Sequence, residues 1–386
     1  MSRIEQLIEE LCPDGVEFKE LGEICNIFIG SFVKKTQHND SFEYPVYNGG
    51  IQPTGYFNCF NSNKYSVVLS ARGANCGFVN YLTVDFWAGN SCYVIKELSV
   101  KVNSKYLFHF LKCNEINIYS LRQTSGIPAI NSAPLSKFLI PIPSLPIQQE
   151  IVTILDTFTA LDDSLKTELE ARRKQYEYYR NKLLNFESKE VEWKTLGEIG
   201  IFIRGNGLQK KDFTESGVGC IHYGQIFTHY GTAAVKTKSF VAPSFAHKLR
   251  KAQKGDLVIA TTSENVEDVC KAVVWLGEEE IAISGDAYIY KHNQNPKYIA
   301  YFYKTQMFFD QKQKYATGTK VIRVSGDNMA KIKIPIPSLS EQERIVAILD
   351  KFDALVNREL PAEIAARRKQ YEFYREKLLS FRSLDN

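Results

Sequence analysis

Apolar residues recur at alternating intervals of three and four in two long segments of the chain. In the first segment they are Ile147, Ile151, Ile154, Phe158, Leu161 and Leu165, then Leu169 after one extra step of four. The same stripe continues through Arg172, Tyr176, Tyr179, Leu183 and Phe186. This spacing places side chains along one stripe of a helix, and a sustained stripe is typical of a coiled coil with one stutter. The pattern predicts a helix of about 40 residues, roughly 60 Å long, whose stripe needs a partner.

The second segment repeats the first. The run from Ala171 to Arg180 recurs from Ala366 to Arg375 with one Tyr replaced by Phe, and the Ile-Pro-Ile-Pro-Ser-Leu run at Ile140 recurs at Ile334. The offset is 194 residues at the Ile-Pro run and 195 at the basic run. One residue is therefore inserted near Pro361, which we expect to kink or break the second helix. Two equivalent helices pair most simply with each other, so we expect an antiparallel pair.

Short β-branched and aromatic runs precede each long segment and predict strands. They lie at Tyr65–Ala71, Gly77–Leu82, Ser91–Lys96, Asp256–Thr262, Ala272–Leu276 and Asp286–Lys291. The repeat extends into these regions, where Val16–Ile24 matches Val191–Ile199, Asn103 and Tyr106 match Asn295 and Tyr298, and Gly126 with Ile130 matches Gly318 with Ile322. Between the matched residues the two halves diverge.

We therefore expect an α+β fold with two similar domains of mixed β structure and short helices, two long antiparallel coiled-coil helices, and an approximate two-fold axis between the halves. The expected parts are an N-terminal helix at 1–15, globular domains at 16–143 and 191–337, a central helix at 144–190 and a C-terminal helix at 338–386. The Ile-Pro-Ile-Pro runs are extended exits from each domain and not central strands, because proline lacks the backbone donor. A molecule of this kind suits a two-part partner, and duplex DNA is the leading candidate.

Composition is ordinary for a globular protein, with 44% hydrophobic and 24% charged residues among 386. The net charge is only +4, so a surface for nucleic acid must be local. The eight cysteines include no Cys-x-x-Cys pair, which favours buried thiols over disulfides or zinc. We expect a cytoplasmic protein, because the chain has no signal peptide and no apolar run of about 18 residues.

Enzyme motifs are absent or have a simpler explanation. Asp14 and Glu17-x-Lys19 carry the letters of a nuclease site, but the two acids are too close together in the sequence. The run Asn295-Pro-Lys-Tyr298 resembles the Asn-Pro-Pro-Tyr loop of amino-methyltransferases, but it lacks the second proline and opens a helix. No phosphate-binding loop and no metal-ligand spacing occurs. The sequence therefore predicts no catalytic residue and no metal site.

Basic and amide side chains in the divergent regions are the candidate DNA contacts. They are Lys34, Lys35, Arg72, Asn75 and Gln123 in the first half and Arg204, Asn206, Lys210, Lys211, Lys320 and Arg323 in the second. Arg, Asn and Gln can hydrogen-bond base edges, and Lys can bind phosphates. Each one alone is more often a solvated surface residue, so the prediction rests on their recurrence in matching loops. The basic pair Arg172-Arg173 and its copy Arg367-Arg368 lie on the helices and predict a bundle surface or a partner contact, not a DNA contact.

The repeated Leu-x-x-Gln-x-x-Ile-Val-x-Ile-Leu-Asp-x-Phe and Ala-Arg-Arg-Lys-Gln-Tyr-Glu motifs, each after a variable domain, resemble the specificity subunit of type I restriction-modification enzymes. The resemblance covers the whole chain. It implies two target recognition domains that each read one part of a split DNA site, and helices that act as a ruler and as docking surfaces for two adenine methyltransferase subunits. It also implies that S-adenosylmethionine is held by those subunits, and ATP and Mg by two motor-nuclease subunits where these are present, so this chain itself has no cofactor.

Two other functions stay open at this point. The chain is alternatively a self-contained adenine methyltransferase or nuclease, against which the missing nucleotide loop argues, or a coiled-coil scaffold that does not bind DNA. The run Lys166-Thr-Glu-Leu169 is similar to a Thr-Ala-Glu-Leu unit that some members of the resembled family carry in several copies. We therefore expect the length of the first long helix to set the distance between the two parts of the DNA site.

Overall fold

A computed structural model describes residues 3–123, 126–186 and 191–384. The chain divides into two compact units. Unit 1 comprises residues 1–166 and 363–386, and unit 2 comprises residues 167–362. Because both division points fall within the long helical segments, each of these segments contributes to both units.

Unit 1 is built on an antiparallel sheet. Its strands are β1 (Glu17–Glu20), β2 (Asn26–Ile29), β3 (Tyr44–Tyr47), β4 (Tyr56–Phe57), β5 (Ser66–Ser70), β6 (Val79–Leu82), β7 (Trp87–Ala88), β8 (Cys92–Lys96) and β9 (Leu139–Ile142). Its helices are α1 (Arg3–Leu11), α2 (Leu21–Ile24), α3 (Ser104–Cys113), α4 (Glu115–Ser120), α5 (Ser132–Ser136) and the first part of α6 (Leu145–Leu183), with a 3-10 turn at Lys35–Gln37. The main sheet has the order β2-β8-β5-β6, a second has the order β4-β3-β7, and β1 pairs with β9.

Unit 2 follows the same plan with additions. Its strands are β10 (Glu192–Thr195), β11 (Gly200–Arg204), β12 (Phe213–Thr214), β13 (Val218–Ile221), β14 (Ala233–Ala234), β15 (Ser239–Val241), β16 (Lys251–Ala252), β17 (Leu257–Ala260), β18 (Thr262–Ser263), β19 (Ala272–Trp275), β20 (Ile281–Ile283), β21 (Ala287–His292), β22 (Ile322–Arg323) and β23 (Lys333–Ile336). Its helices are α7 (Leu196–Ile199), α8 (Tyr223–Thr228), α9 (Pro243–Ala246), α10 (Pro296–Phe302), α11 (Gln306–Lys312), α12 (Gly326–Met329), α13 (Leu339–Ala354) and the start of α14 (Leu360–Leu378), with 3-10 turns at Lys210–Asp212 and Gln313–Tyr315.

The sheet orders confirm the repeat. The order β11-β21-β17-β19 in unit 2 corresponds to β2-β8-β5-β6 in unit 1, with β14 added at one edge. The six strands predicted from the sequence all lie in these two sheets, close to their expected bounds. Each Ile-Pro-Ile-Pro run is half of a two-stranded ladder, in which Pro141 faces Phe18 and Pro335 faces Trp193. The expected α+β fold with two similar domains and long helices is therefore confirmed, and the prolines avoid the centre of any sheet.

A buried glutamine joins each sheet domain to its long helix. The Gln148 side chain accepts a hydrogen bond from the Asn103 amide (2.8 Å) and donates to the Pro143 carbonyl (2.7 Å). In unit 2 the Gln342 side chain accepts from the Asn295 amide (3.0 Å) and donates to the Pro337 carbonyl (3.0 Å). Both glutamines are fully buried. Because buried amides need partners, this repeated joint fixes the domain on the helix in the same way in both units.

Asn295 has a structural role, as the sequence indicated. Its side chain caps α10 by accepting from the backbone amides of Lys297 and Tyr298. Asn103 caps α3 in the same way. The partial likeness to a methyltransferase loop therefore comes from an N-cap followed by proline, which is a favoured helix start.

The long helices pair antiparallel in unit 1, as expected. Phe158 of α6 stacks on Tyr374 of α14, with ring centroids 5.6 Å apart, and also contacts Tyr371. Further along α6, Asp162 accepts a hydrogen bond from Arg368 at 3.1 Å. Since later residues of α6 contact earlier residues of α14, the two helices run in opposite directions.

The same aromatic contact recurs in unit 2, but the apolar stripe differs from the predicted one. Phe352 of α13 stacks on Tyr176 and Tyr179 of α6, with centroids 6.2 and 5.5 Å apart. In unit 1 the side chain of Leu155, outside the predicted stripe, is fully buried, whereas Leu161 within it is 37% exposed. The first part of α6 packs mainly against its own sheet domain, so the stripe is not a simple helix-to-helix seam.

Pro361 does not break the second long helix. A π-helical turn at Leu355–Glu359 follows α13 and leads directly into α14, which contains Pro361. A π turn accommodates one more residue than an α turn does, so it absorbs the single inserted residue that changes the repeat offset. Of the two expected outcomes, a kink or a break, the break is therefore wrong.

Candidate nucleic-acid interface

One end of the main sheet in unit 1 collects the candidate residues of the first half. At this end β2 and β5 finish and β8 begins, because the Gly30 amide donates to the Cys92 carbonyl (3.0 Å) and the Ala71 amide donates to the Ser91 carbonyl (2.7 Å). The segment after β2 carries Lys34 and Lys35, and the segment after β5 carries Arg72 and Asn75. We call residues 30–37, 71–75, 123 and 126–130 the loop edge of unit 1.

Unit 2 has the same arrangement. The Gly205 amide donates to the Ala287 carbonyl (2.9 Å), and the Thr261 amide donates to the Asp286 carbonyl (3.0 Å). The segment that begins at the end of β11 carries Arg204, Asn206, Lys210 and Lys211. The segments 204–211, 261–263 and 317–324 form the loop edge of unit 2. The prediction that the two lysine pairs lie near equivalent positions is confirmed: Lys34 caps and Lys35 begins the 3-10 turn that follows β2, and Lys210 and Lys211 lie in the 3-10 turn that follows β11.

A glycine lies at the start of the first segment of each loop edge, as its first residue in unit 1 (Gly30) and as its second in unit 2 (Gly205). A Cβ at Gly30 would lie 2.3 Å from the Ala88 carbonyl oxygen, and a Cβ at Gly205 would lie 2.2 Å from the Ser284 carbonyl oxygen. Any side chain would push the backbones apart, so only glycine permits this close approach. The two loop edges therefore share their backbone geometry although their side chains differ.

A hairpin completes the loop edge of unit 1. Arg72 is the bridge partner of Ala129, and Ala129 is the bridge partner of Gln123. The Ile130 amide donates to the Ala71 carbonyl at 2.9 Å. Arg72 and Gln123, two predicted contacts that are far apart in the sequence, thus lie on either side of Ala129. We call these three bridged residues a row.

The corresponding hairpin in unit 2 gives an equivalent row. Thr262 of β18 faces Arg323 of β22, and Arg323 is also the bridge partner of Thr317. The Val324 amide donates to the Thr261 carbonyl at 3.3 Å. Arg323 therefore lies at the position that Ala129 has in unit 1, and Thr262 at the position of Arg72.

This register corrects the sequence match in the hairpin. The hydrogen bonds place Ile130 opposite the same strand end as Val324, whereas the sequence paired Ile130 with Ile322 and Gly126 with Gly318. The sequence match is therefore wrong by two residues. The cause is that both hairpins contain a glycine and an isoleucine, but at different distances from the bridge.

Most of the predicted DNA contacts are exposed at these edges. The exposed ones are Lys34, Lys35, Arg72, Asn75, Gln123, Arg204, Lys210, Lys211, Lys320 and Arg323. Asn206 differs, because its amide donates to the Lys248 carbonyl (2.9 Å) and accepts from the Arg250 amide (2.7 Å). Its side chain is used to hold a loop, which argues against a role in reading bases. That loop presents Lys248 and Arg250 to solvent, two cations that sequence reasoning missed because they lie between short, weakly patterned strands.

A shallow cavity of about 330 Å³ opens beside Arg204 in unit 2. Arg204 donates to the Gly285 carbonyl (2.9 Å), and its guanidinium lies 3.9 Å from the Asp286 carboxylate. Burial and then the nearby Lys210 ammonium lower the pKa of His222. Since the His222 Nδ1 accepts from the Gly224 amide (3.2 Å), the proton of the neutral ring is on Nε2. The cavity therefore brings the Arg204 guanidinium and the neutral His222 ring together with the Asp286 carboxylate, which is an acceptor.

The arginines predicted to contact a partner are mostly held within the helices. Arg172 donates to Glu168 and Gln175, both at 2.7 Å, and Arg367 makes the same pair of bonds to Glu363 and Gln370. Arg368 binds Asp162, as described above, and Arg173 is exposed. The other three arginines bind side chains of the helices. Arg173 is therefore the best placed of the four for the predicted partner contact.

Exposed aromatic rings occupy matching positions of the two helices. Tyr178 is 57% exposed and packs edge-on against Tyr179, and Phe373 is 63% exposed and packs edge-on against Tyr374. Exposed lysines lie one turn before and after each ring, at Lys174, Lys182, Lys369 and Lys377. We call these two sets the aromatic patches. Sequence reasoning missed them because Tyr178 and Phe373 lie outside the predicted stripe, although their recurrence in both copies was a signal.

Three further findings concern chemistry and membranes. No helix in the described part of the chain is both long and apolar enough to cross a bilayer. Residues 3–123, 126–186 and 191–384 contain no cluster of His, Cys, Asp and Glu suited to a metal ion. All eight cysteines are free thiols, and Cys59 is exposed, which differs from the expectation that they are buried.

Comparisons with known proteins agree with this geometry. The chain matches the model of the type I restriction modification DNA specificity domain twice, over residues 13–172 and 188–366. It is 30% identical to the type I restriction enzyme EcoR124I/EcoR124II specificity subunit of Escherichia coli, over 99% of this chain and 97% of that protein. The fold is similar to the crystal structure of a type I restriction-modification S subunit from M. genitalium, with a TM-score of 0.60, 19% identity and coverage of 95% and 96% of the two chains. The fold is also similar to a chain from a structural study of the complex assembly and conformational transition of a type I R-M system. The TM-score is again 0.60, at 16% identity, with coverage of 96% of this chain and 98% of that chain.

Proposed function

This chain belongs to the family of type I restriction-modification DNA specificity subunits. We propose that it reads a two-part site on duplex DNA, one part with each unit. Members of this family are non-catalytic, so the chain is not a methyltransferase or nuclease in its own right. The observation that carries the proposal is the repeated loop edge. Two copies of one backbone frame present exposed Arg, Lys and amide side chains that differ between the copies, as two different half-sites require.

The weak net charge of the chain agrees with this reading. Phosphate neutralisation supplies most of the affinity for non-specific DNA. A chain with a net charge of +4 has only a small excess of cations for this purpose. We infer that DNA binding is concentrated at the loop edges and gains strength from partners. The partners are two methyltransferase subunits that carry S-adenosylmethionine, together with two motor-nuclease subunits that carry ATP and Mg where the system restricts DNA.

Replacing Lys210 and Lys211 by alanine should weaken DNA binding at every sequence. Each phosphate that loses its cation lowers the slope of log affinity against log salt by about 0.9. The measurement is a salt series of anisotropy titrations with a labelled duplex. The control is Lys254→Ala, which removes a cation just before β17, at the other end of the same sheet. A double variant with the wild-type slope would place both lysines away from DNA.

The aromatic patches are the proposed docking surfaces for the two methyltransferase subunits. Exposed aromatic rings flanked by long cationic side chains are typical of the residues that dominate protein interfaces. Two equivalent patches on one chain suit two copies of one partner. Arg173 lies next to Lys174 of the first patch and is included in this surface.

Tyr178→Ala and Phe373→Ala should each remove one of the two methyltransferase subunits from the complex. Truncating a central interface aromatic costs about 2 kcal/mol or more, which is roughly 30-fold in affinity. Subunit stoichiometry by mass photometry and affinity by calorimetry measure the effect. Ile116→Ala, which trims an exposed apolar side chain on α4, is the control. Two bound subunits at unchanged affinity in both variants would exclude the aromatic patches as the docking surface.

A further inference from the structure

Each loop edge carries one arginine at the same bridge, but on opposite strands. In unit 1 the pair is Arg72 facing Ala129. In unit 2 the pair is Thr262 facing Arg323. Both arginines are exposed. The two units have thus exchanged the strand that supplies the arginine while keeping one arginine in the pair.

A guanidinium reaches the same place from either strand. Side chains of directly opposed residues in an antiparallel bridge point to the same face, with Cβ atoms about 4.5–5.5 Å apart. The side chain of arginine is longer than this separation. The opposing residue is small in both units, Ala129 in one and Thr262 in the other, so space is left for the arginine to lean across.

The unit 2 pair also contains a buried hydroxyl, that of Thr262. Thr262 is 6% exposed, and its Oγ1 has no hydrogen-bond partner among the residues that the structure describes. Buried hydroxyls without a partner are rare in folded proteins. Because this oxygen is closed off from solvent, Arg323 is the exposed donor of the pair.

We propose that Arg72 and Arg323 are equivalent DNA anchors. Each guanidinium binds a backbone phosphate and fixes the register of its unit on the duplex. The inference rests on the proposed function and specifies the ligand of this site. The two units differ in most exposed side chains of their loop edges, but both keep this arginine. Two different half-sites have the phosphate backbone in common and not the bases, so a shared arginine is expected to bind phosphate. The neighbours that differ along the row, Gln123 in one unit and Thr317 in the other, are left for the bases.

The first test uses single variants of the full chain and a labelled duplex of mixed sequence. Arg72→Ala and Arg323→Ala should each lower affinity roughly 10-fold, as expected for one lost charge-assisted hydrogen bond. Each should also reduce the salt slope by about 0.9. Lys64→Ala, which removes a cation just before β5, at the opposite end of the unit 1 sheet, should leave the slope unchanged. Equal thermal melting of all variants shows that the fold is retained.

The second test moves the arginine across the bridge. Arg72→Ala combined with Ala129→Arg gives unit 1 the arrangement of unit 2 and should restore both affinity and slope. Arg72→Ala combined with Val100→Arg restores the same net charge at a site that is 91% exposed beyond the other end of the sheet, and should not rescue. Rescue by the first variant and not by the second identifies a local guanidinium site and not general charge.

The outcomes separate this inference from the proposed function. A wild-type chain that binds no duplex, alone or with its methyltransferase subunit, contradicts both. A wild-type chain that binds with a salt slope unaffected by Arg72→Ala and Arg323→Ala overturns the anchor and leaves the proposed function standing. An altered methylated sequence for Arg72→Ala in the assembled methyltransferase shows that the arginine reads a base, which also overturns the anchor.

Discussion

Replacing residues 191–337 with the corresponding domain of another family member should change one half of the methylated DNA site and leave the other half as it is. Each mismatched base pair costs a DNA-binding protein about 1–3 kcal/mol, so a few altered positions reduce recognition of the original half-site by a thousand-fold or more. The assay is sequencing of methylated adenines in a host that carries the hybrid chain and its methyltransferase subunit.

The structure explains why such a hybrid should fold. The replaced domain is joined to α13 by the Gln342 side chain, which accepts from the Asn295 amide and donates to the Pro337 carbonyl, both at 3.0 Å. Unit 1 uses the same joint, in which Gln148 accepts from the Asn103 amide at 2.8 Å and donates to the Pro143 carbonyl at 2.7 Å. A donor domain with the same joint residues keeps these buried groups satisfied. A hybrid that changed both halves of the site would show that the units do not read DNA independently.

Inserting one Thr-Ala-Glu-Leu unit after Leu169 should lengthen the spacer between the two half-sites by one or two base pairs. The α6 helix is continuous from Leu145 to Leu183, so four added residues extend it by about 6 Å. Base pairs are about 3.4 Å apart along each strand. Four residues exceed one turn by a few tens of degrees only, so the rotation of the distal part stays small.

The neighbourhood of Leu169 should tolerate the insertion, since Lys166 to Ala171 contains no fully buried side chain. A second variant adds the same four residues after Ile364, the residue that corresponds to Leu169 in the repeat, so that both helices lengthen together. The half-site sequences should stay the same in both variants, because neither loop edge is touched. Methylation at the original spacing in an active insertion variant would show that the helix is not the ruler.

The sequence was sufficient for the elements whose pattern is strong. The long helices, their antiparallel pairing in unit 1 and the main-sheet strands follow from periodicity and β-branched runs, because these patterns report which face is buried. The stripe on α6 was less accurate, since periodicity shows that a face is apolar but not what covers it. Leu155 is buried against the sheet domain, and this contact has no separate signal in the sequence.

The candidate site was predicted at the level of segments but not of individual side chains. Matching loops pointed to the two lysine pairs, and the structure places both pairs at the loop edges. Asn206 instead holds a neighbouring loop, and whether an amide is used internally depends on tertiary contacts that no local pattern records. The sequence also does not show the equivalence of Arg72 and Arg323. The two residues come from different strands of the bridge, so the repeat does not align them with each other.

The most direct test of a two-part reader is a genome-wide map of methylated adenine in a host that carries this chain and its methyltransferase subunit. The account predicts a single motif made of two short specified parts, separated by an unspecified spacer of constant length, with a methylated adenine in each part. A contiguous motif without a spacer, or a spacer of variable length, would contradict the account.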